Sequence, residues 1–443
     1  MTRSAREMSF REAQAYLESL GIDAMKDLTP SLDRIEALCE ALNHPQRAVP
    51  GVHITGTNGK TTTARLVTSL LAATGLSVGT YTSPHLESVT ERISLSGEPL
   101  SEDLFGELFE NVLPYVQLVE SRLGQRLSYF EFLTGMFFFW AAEQPVDAIV
   151  VEVGMGGEWD ATNVMDGVVS IITNVGLDHT GLLGTEKTAI AREKAGIIKP
   201  DGTLVTAERV PDIRNLLQEI AEGRRSEVAL LDKHFAVDDN RVAFGGRYLS
   251  LTSSAGSYEE LFLPLHGAHQ GLNASAALEA VTRFLPAQRL EHEVVAEGFG
   301  NVNAPGRLEA LRLRGHTAPP VVLDVAHNPD GISAMISSLV EAFAFKRVRF
   351  VVGIAQDKDY EGMLAELGRL PSSVVVTEPK QVRSVPAEEL KRVAMELGLP
   401  CEVIEDVPTA VDAAIAQAEP IELVCITGSH YVVGEARSHL LRG

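Results

Sequence analysis

Gly-Thr-Asn-Gly-Lys-Thr, residues 56–61, follows the apolar run Val52–Ile54 and precedes a helical pattern from about Lys60 to Thr74. A glycine-rich segment between a strand and a helix lets backbone amides approach phosphate oxygens, and its lysine supplies charge for the β and γ phosphates. Ile54 stands where the general pattern has a further glycine, and the alternative is a turn without a ligand. Because the Lys-Thr pair lies in the required context, we predict that this phosphate loop binds a nucleotide.

The segments that follow predict a parallel sheet. Gly75 ends the helical pattern and Ser77–Tyr81 is a second apolar run, so the first part of the chain has the form of a βαβ unit. Ala148–Val153 and Val168–Thr173 are nearly continuous runs of apolar and β-branched residues. Such runs are typical of strands that helices cover on both faces. We therefore predict an α/β fold whose N-terminal domain is a doubly wound, mostly parallel sheet with the phosphate loop.

A domain boundary is predicted near Asn301–Arg307, where proline and glycine interrupt the chain. A new alternation of strands and helices follows it, which predicts a smaller C-terminal Rossmann-like α/β domain. The boundary divides the chain into residues 1–303 and 304–443. The elements predicted after it are the strands Val321–Val325, Arg349–Gly353, Ser373–Thr377 and Leu423–Thr427 and the helix Ile332–Phe343.

Between about Pro211 and Leu263 the pattern changes to short alternating pieces bounded by glycine and aspartate. Two of these pieces are Val228–Leu231 and Arg247–Leu251. Alternation over a few residues is typical of half-buried antiparallel strands. We predict a small antiparallel insertion in this part of the first domain.

Length and charge limit the function. The 443 residues exceed what one hydrophobic core usually organises, which agrees with two domains. Aspartate and glutamate number 60 against 38 lysines and arginines, and no basic block reverses this balance locally. Nucleic acid is therefore not expected as a partner. An anionic substrate would need a metal ion, a helix N-terminus or a few placed cations.

The cysteines and the apolar segments indicate the compartment. Cys39, Cys401 and Cys425 are far apart and form no CxxC pair, so neither a disulfide framework nor a zinc site is expected. Met1–Phe10 lacks the apolar core of a signal peptide. Phe132–Ala142 is too short to cross a bilayer and is predicted as a buried helix. We expect a cytoplasmic protein without a membrane partner.

A carboxylate at the end of a buried strand suggests a metal site. Glu152 interrupts the apolar run Ile149–Val153, and His179 follows the next strand. Both lie at the edge where doubly wound folds bind ligands, so they could converge on one cation with phosphate and water. Histidine is an unusual magnesium ligand, however, and from the residues alone a core or loop histidine is the more frequent case.

Other polar residues remain ambiguous from the residues alone. The glycines of Gly154–Gly157 do not have dinucleotide-binding spacing, and Asp160 could simply cap the following turn. Lys194 lies among charges that could form a solvated helix face. Asp324 and His327 end a strand, where a functional loop and a capped turn are equally compatible. No nucleophile elbow or His-Glu-x-x-His pair is present, so phosphate chemistry is favoured.

Taken together, these segments resemble the folylpolyglutamate synthase and dihydrofolate synthase family, a branch of the ATP-dependent Mur ligase superfamily. The resemblance extends from about Tyr16 to Arg437. Val325 and His430 depart from the usual pattern, which leaves details of amino-acid or nucleotide contacts open. The matching segments are, in order, Gly56–Thr61, Ser83–Leu86, Glu91–Ile93, Tyr129–Glu131, Glu152–Asn163, Asp178-His179, Glu193–Gly196, His269-Gln270, Asn273-Ala274, Pro305–Glu309, Asp324–Pro329 and Thr427–Ser429.

The resemblance implies a role for each matching residue. It implies a Mur ligase-type ATP-binding domain and a glutamate-ligase domain, with catalytic contributions from Lys60, Glu152, His179 and Lys194. It implies two magnesium sites, with Lys194 carbamylated as a ligand beside Ser83, Glu152 and His179. The implied ATP contacts are Thr57, Asn58, Gly59, Lys60, Thr61, Asn273, Arg307 and Asp324. The implied substrate contacts are Ser128, Tyr129, Phe130, Glu131, Trp159, Asp160, Ala161 and His327.

The resemblance also implies the reaction. ATP would phosphorylate a substrate carboxylate, and the amino group of L-glutamate would attack the acyl phosphate and release phosphate. The acceptor would be dihydropteroate, a reduced folate or both, and the enzyme would act as a monomer. Three alternatives are a folylpolyglutamate synthase without the first activity, a Mur-type ligase acting on a cell-wall precursor, and a regulatory protein that uses the nucleotide as a switch.

Overall fold

The computed structural model of the protein describes residues 9–21, 31–178, 180–285, 290–311, 319–380 and 384–442. Two α/β units follow each other along the chain, each built on its own sheet. The elements of the first unit are α1 (Phe10–Ser19), α2 (Asp33–Ala41), β1 (Gly51–Thr55), α3 (Lys60–Ala73), β2 (Val78–Tyr81), β3 (Ile93–Leu95), β4 (Glu98–Pro99), α4 (Glu102–Leu123), α5 (Tyr129–Glu143), β5 (Ala148–Glu152), β6 (Gly167–Ile172), α6 (Thr180–Leu183), α7 (Lys187–Lys194), β7 (Thr203–Thr206), α8 (Pro211–Gly223), β8 (Glu227–Leu230), β9 (Ala236–Ala243), β10 (Gly246–Ser253), β11 (Gly256–Leu263), α9 (His269–Phe284) and α10 (His292–Gly300).

The large sheet has eight strands in the order β4-β3-β2-β5-β1-β6-β7-β8. Strands β2, β5, β1, β6, β7 and β8 run parallel, while β3 and β4 form an antiparallel edge. Every residue of β1 and β5 is buried, as expected for central strands covered on both faces. The doubly wound, mostly parallel sheet is therefore confirmed. From β1 the chain crosses to β2 on one side, and from β5 it crosses to β6 on the other side of β1. The direction of the connections therefore reverses beside β1, which makes the carboxyl ends of these strands a ligand-binding position.

The antiparallel insertion is confirmed for β9, β10 and β11, which pair in the order β11-β10-β9. The assignment of Val228–Leu231 to this insertion was wrong. That segment contains β8, which pairs parallel with β7 at the edge of the large sheet. The run Val228–Leu231 is continuous but only four residues long, and it directly precedes the alternating strands of the insertion, so the sequence pattern did not separate it from them.

The second unit has a six-stranded sheet in the order β12-β13-β17-β14-β15-β16, in which only the β12–β13 pair is antiparallel within the described residues. The predicted smaller Rossmann-like unit is confirmed. Its elements are β12 (Glu309–Leu311), β13 (Val321–Leu323), α11 (Pro329–Ala342), β14 (Arg347–Val352), α12 (Tyr360–Leu367), β15 (Ser372–Val376), α13 (Ala387–Glu396), β16 (Cys401–Val403), α14 (Val407–Gln417), β17 (Glu422–Thr427) and α15 (His430–Arg442).

Helix α5 lies in an aromatic core beside the large sheet, as predicted for its apolar stretch. The Phe132 ring stacks on Phe109 at 5.0 Å between centroids, and Phe137 stacks on Tyr81 at 5.2 Å. These side chains are fully buried. Across the described ranges, no helix has both the length and the apolar character needed to cross a bilayer. The three cysteines are free thiols.

Candidate active site

The carboxyl-terminal ends of both sheets border one cavity of about 690 Å³. Loops that follow parallel strands gather at this end, so ligands of such folds bind there. Both units contribute to the cavity wall. The cavity brings together the following predicted site residues: Thr57, Asn58, Gly59, Lys60, Thr61, Ser83, Tyr129, Phe130, Glu152, Asp160, Asn273, Arg307, Asp324 and His327.

Two glycines of the phosphate loop occupy positions where a side chain would clash with neighbouring residues. Gly59 has a φ of 84° and directly precedes α3. A Cβ atom on Gly59 would lie 2.6 Å from Oδ1 of Asn273, and one on Gly56 would lie 1.8 Å from Oγ1 of Thr173. The unpaired amides of the first turn of α3 are therefore left open toward the cavity, as in anion sites at helix N-termini.

Lys60 lies across the phosphate loop. Its Nζ donates hydrogen bonds to the carbonyl oxygens of Gly56 at 3.0 Å and Thr57 at 3.2 Å. Burial lowers the pKa of this ammonium group, while the carboxylates of Glu152 and Asp178 oppose that shift. The loop thus holds a cation next to the open amides of α3, which is where phosphate charge would be placed.

Glu152 is the last residue of β5 and is 1% exposed. Its Oε1 accepts a hydrogen bond from the Thr61 hydroxyl at 2.9 Å, and its Oε2 accepts one from the Ser83 amide at 3.1 Å. Burial raises the pKa of this carboxyl group, and the positive charge of Lys60 opposes the shift. A buried carboxylate beside a hydroxyl and a phosphate loop is a suitable set of oxygen donors for magnesium.

His179, the second predicted metal ligand, lies outside the described residues. Among the residues that the structure does describe, no group of three or more His, Cys, Asp or Glu side chains could hold a metal ion. A magnesium ion at Glu152 would therefore need ligands from substrate phosphate and water. Magnesium sites of phosphate-transferring enzymes have this composition.

Lys194 is buried, so the alternative of a solvated helix face was wrong. The residue ends α7 and is 4% exposed. It borders a small gap of about 10 Å³ behind the phosphate loop, together with Lys60 and Asp178. Burial and the nearby charge of Lys60 lower the pKa of Lys194 to about 7. A lowered pKa increases the fraction of neutral amine near pH 7.

An aromatic wall on the first unit faces the phosphate loop across the cavity. The Arg92 guanidinium lies 5.2 Å from the ring centroid of Tyr129 and donates to Nδ1 of His85 at 3.0 Å. Burial lowers the pKa of His85 to about 3, so this partner is neutral. Arg92 makes no ion pair with any carboxylate that the structure describes, and it thus presents a positive charge to the cavity. The aromatic wall consists of Arg92, Tyr129, Phe130, Met155 and Asp160.

Four residues predicted to contact substrate do not line the cavity: Ser128, Glu131, Trp159 and Ala161. Ser128 and Glu131 form the capping box at the start of α5, and Arg34 donates to both carboxylate oxygens of Glu131. The Ser-x-x-Glu spacing was itself a signal for this structural use. Asp160 caps the turn Ala161–Val164 and also lines the cavity, so capping and site roles are compatible there.

The second unit contributes a cation and a carboxylate at the end of β13. Arg307 donates to the Thr61 hydroxyl at 3.3 Å across the two units. Asp324 accepts hydrogen bonds from the amides of Leu308 and Ala326, both at 2.9 Å. Burial raises the pKa of Asp324 to about 6, against the effect of Arg307. The end of β13 is therefore a functional candidate as well as a capped turn.

Polar contacts across the cavity join the loops of the two units. Asp178 lies 2.6 Å from Nζ of Lys358 and 3.4 Å from Nε2 of His327. The Asn328 side chain donates to Oδ1 of Asn58 at 3.1 Å. The sequence analysis did not identify Lys358. Its signal was the charged run at residues 357–359, which follows a buried strand at the ligand-binding edge.

Comparison with known proteins agrees with this geometry. Two family models match: the Mur ligase middle domain over residues 121–281, and the glutamate ligase domain of Mur ligases over residues 306–430. The chain is 40% identical to a dihydrofolate synthase/folylpolyglutamate synthase of Mycobacterium tuberculosis, over 93% of this chain and 90% of that protein.

Solved structures have the same fold. The Mycobacterium tuberculosis folylpolyglutamate synthase complexed with ADP superposes with a TM-score of 0.92 at 38% identity, covering 98% of each chain. The Escherichia coli FolC protein in complex with DHPP and ADP gives a TM-score of 0.84 at 28% identity, with 97% of each chain covered. Both relatives contain ADP, so nucleotide binding is a feature of the solved structures that this chain resembles.

Proposed function

Because the chain belongs to the folylpolyglutamate synthase and dihydrofolate synthase family of ATP-dependent ligases, we propose that it joins L-glutamate to a pterin-containing carboxylic acid. The acceptor is dihydropteroate, a reduced folate or both. The reaction consumes ATP and releases ADP and phosphate. This assignment agrees with the names of the relatives and with the DHPP and ADP bound in the Escherichia coli protein.

The observation that carries the proposal is the continuity of the cavity. It extends from the phosphate loop to the aromatic wall, and the second unit closes it on the remaining side. The aromatic wall suits a flat heterocycle, and Arg92 suits the carboxylate of the acceptor. A nucleotide switch would not need an aromatic wall opposite the phosphate loop, with an arginine that makes no ion pair with a described carboxylate.

The chemistry follows from the charges around the loop. A carboxylate is a poor electrophile, so one carboxylate oxygen first attacks the γ phosphorus and ADP leaves. The amino group of L-glutamate then attacks the acyl phosphate, loses a proton and expels phosphate. We propose that Lys60 and the amides of residues 59–61 stabilise the transferring phosphoryl group, and that Arg307 approaches it from the second unit. Asn273 and Asp324 would hold the rest of the nucleotide.

Two magnesium sites belong to the proposal. The metal supplies positive charge that offsets the charge of the phosphates. Ser83, Glu152 and His179 would hold the first ion. At the second site, the neutral amine of Lys194 would add to carbon dioxide and lose a proton, and the resulting carbamate would serve as an oxygen ligand. The depth of burial and the lowered pKa of Lys194 support this modification, because a neutral amine is the reactive form.

The proposal also divides the chain by task. Residues 1–303 form the ATP-binding domain, and residues 304–443 form the glutamate-ligase domain, with His327 near the incoming amino acid. We propose a monomer as the active unit. Free thiols agree with the reducing cytoplasm as its location.

The test is ADP release in the presence of ATP, magnesium and L-glutamate, with dihydropteroate in one reaction and tetrahydrofolate in another. Mass spectrometry should find one added glutamate in both products. Activity with tetrahydrofolate alone would identify a folylpolyglutamate synthase without the first activity. ATP binding without ADP release for either acceptor would contradict the proposal, and a uridine-nucleotide acceptor would then test the cell-wall ligase alternative.

A further inference from the structure

The central strand β1 carries two polar residues in a fully buried position. His53 and Thr55 are both 0% exposed. Successive side chains of a strand point to opposite faces, so these two lie on one face, while Val52 and Ile54 lie on the other. Val52 and Ile54 pack in an apolar core. Buried polar groups lower stability unless they are hydrogen-bonded, so the polar face of β1 requires an explanation.

Both polar residues bond to the same loop, residues Gly154–Thr162. The Thr55 hydroxyl donates to the carbonyl oxygen of Gly156 at 2.7 Å. Nε2 of His53 lies 2.8 Å from Oγ1 of Thr162. The strand that leads into the phosphate loop is therefore bonded at two points, six residues apart, to the loop that carries Met155 and Asp160 of the aromatic wall.

The direction of the histidine bond follows from its neighbour. The Thr162 hydroxyl donates its hydrogen to Oδ1 of Asp160 at 2.5 Å, so Oγ1 of Thr162 must accept from Nε2 of His53. The other ring nitrogen, Nδ1, has no hydrogen-bond partner in the described part of the chain. The imidazole is thus a neutral donor. Its pKa is lowered to about 3 by burial, and it keeps this form at any working pH.

Asp160 completes a chain of bonds to the cavity. Oδ1 of Asp160 accepts hydrogen bonds from the Thr162 hydroxyl and from the Thr162 amide, the latter at 3.0 Å. Oδ2 of Asp160 accepts a hydrogen bond from the Met155 amide at 3.0 Å. On the far side of the loop, Oε1 of Glu193 accepts the amides of Gly157 at 3.1 Å and Glu158 at 2.8 Å. The Gly154–Thr162 loop is therefore held by Glu193 on one side and, on the other, by β1, which leads directly into the phosphate loop.

We propose that His53 and Thr55 are positioning residues that hold the Gly154–Thr162 loop in register with the phosphate loop, and so set the approach of the acceptor carboxylate to the γ phosphate. This inference rests on the proposed function. Phosphoryl transfer requires the reacting atoms about 3 to 3.5 Å apart, and a misplacement of about 1 Å can reduce the rate about 10²-fold. Neither side chain touches the substrate, because neither lines the cavity.

The test uses Thr55→Val, which keeps the shape but loses the donor, and His53→Phe. Thr55→Ser and His53→Gln keep a donor at each position. Thr68→Val is the matched control, since it removes a buried hydroxyl that bonds Thr80 at 2.7 Å in the same domain, away from the loop. Each variant is assayed for ADP affinity, for kcat and KM of the acceptor, and for ADP released per amide bond formed.

Thr55→Val and His53→Phe should lower kcat/KM for the acceptor by about 10- to 100-fold, with ADP affinity nearly unchanged. ADP release should exceed amide formation, because a displaced acceptor lets water take the phosphoryl group. The donor-retaining variants should recover most of the activity, and Thr68→Val should behave as wild type. If His53→Phe does not fold, Thr55→Val decides the outcome alone.

The inference is overturned if Thr55→Val matches Thr68→Val in kcat, KM and coupling, or if ADP affinity falls as much as acceptor turnover. Wild-type protein assayed alongside separates the two proposals. An inactive wild type refutes the proposed function and the inference with it, whereas an active wild type with unaffected variants refutes the inference alone.

Discussion

The two sheets of the molecule border the same cavity with the carboxyl ends of parallel strands, but they contribute different groups to it. At the carboxyl edge of the large sheet, the chain turns tightly at glycines and exposes the backbone amides of α3. At the carboxyl edge of the smaller sheet, a single glycine, Gly428, lies between β17 and α15, where the phosphate loop has two glycines. There the site residues are long side chains, Arg307, His327 and Lys358, which cross to the phosphate loop and to Asp178.

This difference separates two kinds of work. Backbone amides and a buried lysine form a rigid phosphate site that does not depend on side-chain rotamers. Long side chains that extend from a second unit can engage or release as that unit moves, at the cost of conformational entropy. We therefore expect the first unit to hold the phosphates and the acceptor, and the second unit to complete the site with side chains from across the cavity. The following predictions test that division.

Lys60→Ala should have the largest effect, because it removes the cation of the rigid phosphate site. We expect kcat to fall at least about 10³-fold, as for other groups that stabilise transition-state charge. Lys233→Ala, at an exposed position of the same unit, should be unchanged. Steady-state ADP release measures both, and circular dichroism should show the native fold. Normal turnover by Lys60→Ala would remove the phosphate loop from the mechanism.

Lys194→Ala should have the second largest effect. We expect activity to fall roughly 10²-fold, as when a metal ligand or its support is lost. Short carboxylic acids should restore part of the activity, since they supply the missing oxygen ligand. Lys187→Ala, at the other end of α7, is the control. Failure of rescue, together with a native mass that lacks carbon dioxide, would argue against the carbamate and leave Lys194 as a buried cation.

Asp324 should affect stability through pH. Burial raises its folded pKa to about 6 from 3.8, so the folded protein binds more protons than the unfolded chain between these values. This group therefore stabilises the fold below pH 4, and the contribution is lost as pH rises through 6. The free energy of unfolding of Asp324→Asn, taken relative to that of wild type, should therefore rise by on the order of 2 kcal/mol between pH 4 and pH 7.

Urea unfolding at a series of pH values measures the difference between Asp324→Asn and wild type. Any hydrogen bond that the asparagine fails to make lowers the free energy of unfolding by the same amount at every pH. Only the slope of the free energy of unfolding against pH therefore reports the titration of Asp324. Glu388→Gln, at an exposed position of the same unit, should run parallel to wild type. If the curve for Asp324→Asn ran parallel to that of wild type, the pKa of Asp324 would not be raised in the folded protein.

The smallest effect concerns a contact between the antiparallel insertion and the second unit. Arg247 of β10 is 1% exposed and forms two hydrogen bonds, at 2.6 and 3.1 Å, with Glu341 near the end of α11. A double-mutant cycle with Arg247→Met and Glu341→Gln should give a coupling of about 1 kcal/mol, reduced by the partial exposure of Glu341. The fully exposed pair Arg225–Asp201 should show none. Absence of coupling would exclude the insertion as a support for the second unit.

Sequence patterns identified the parts of this structure that depend on local chemistry. The strands at β1, β5, β6, β14, β15 and β17 were predicted within one or two residues, because strands buried on both faces require continuous apolar runs. The phosphate loop followed from its glycines and lysine in the same way. Segment β8 was misassigned because its apolar run is short and lies next to the alternating strands of the insertion.

Contacts between distant segments were not predictable in this way. No periodicity pairs Asp178 with Lys358, or the amine of Lys194 with the space behind Lys60. Whether a charged residue belongs to a site or to the solvated surface also depends on its burial. Lys194 and an exposed lysine look alike in a helical pattern, and only packing separates them. For Ser128 and Glu131 the local signal was available as a capping box, and the role in substrate binding remains a prediction.

The contact between Gly59 and Asn273 restricts how the site can evolve. A side chain at residue 59 would meet both an unfavourable backbone conformation and the Asn273 amide, so one substitution there faces two penalties at once. A smaller residue in place of Asn273, on α9, would relieve only one of them. We therefore expect residue 273 to vary more readily than residue 59.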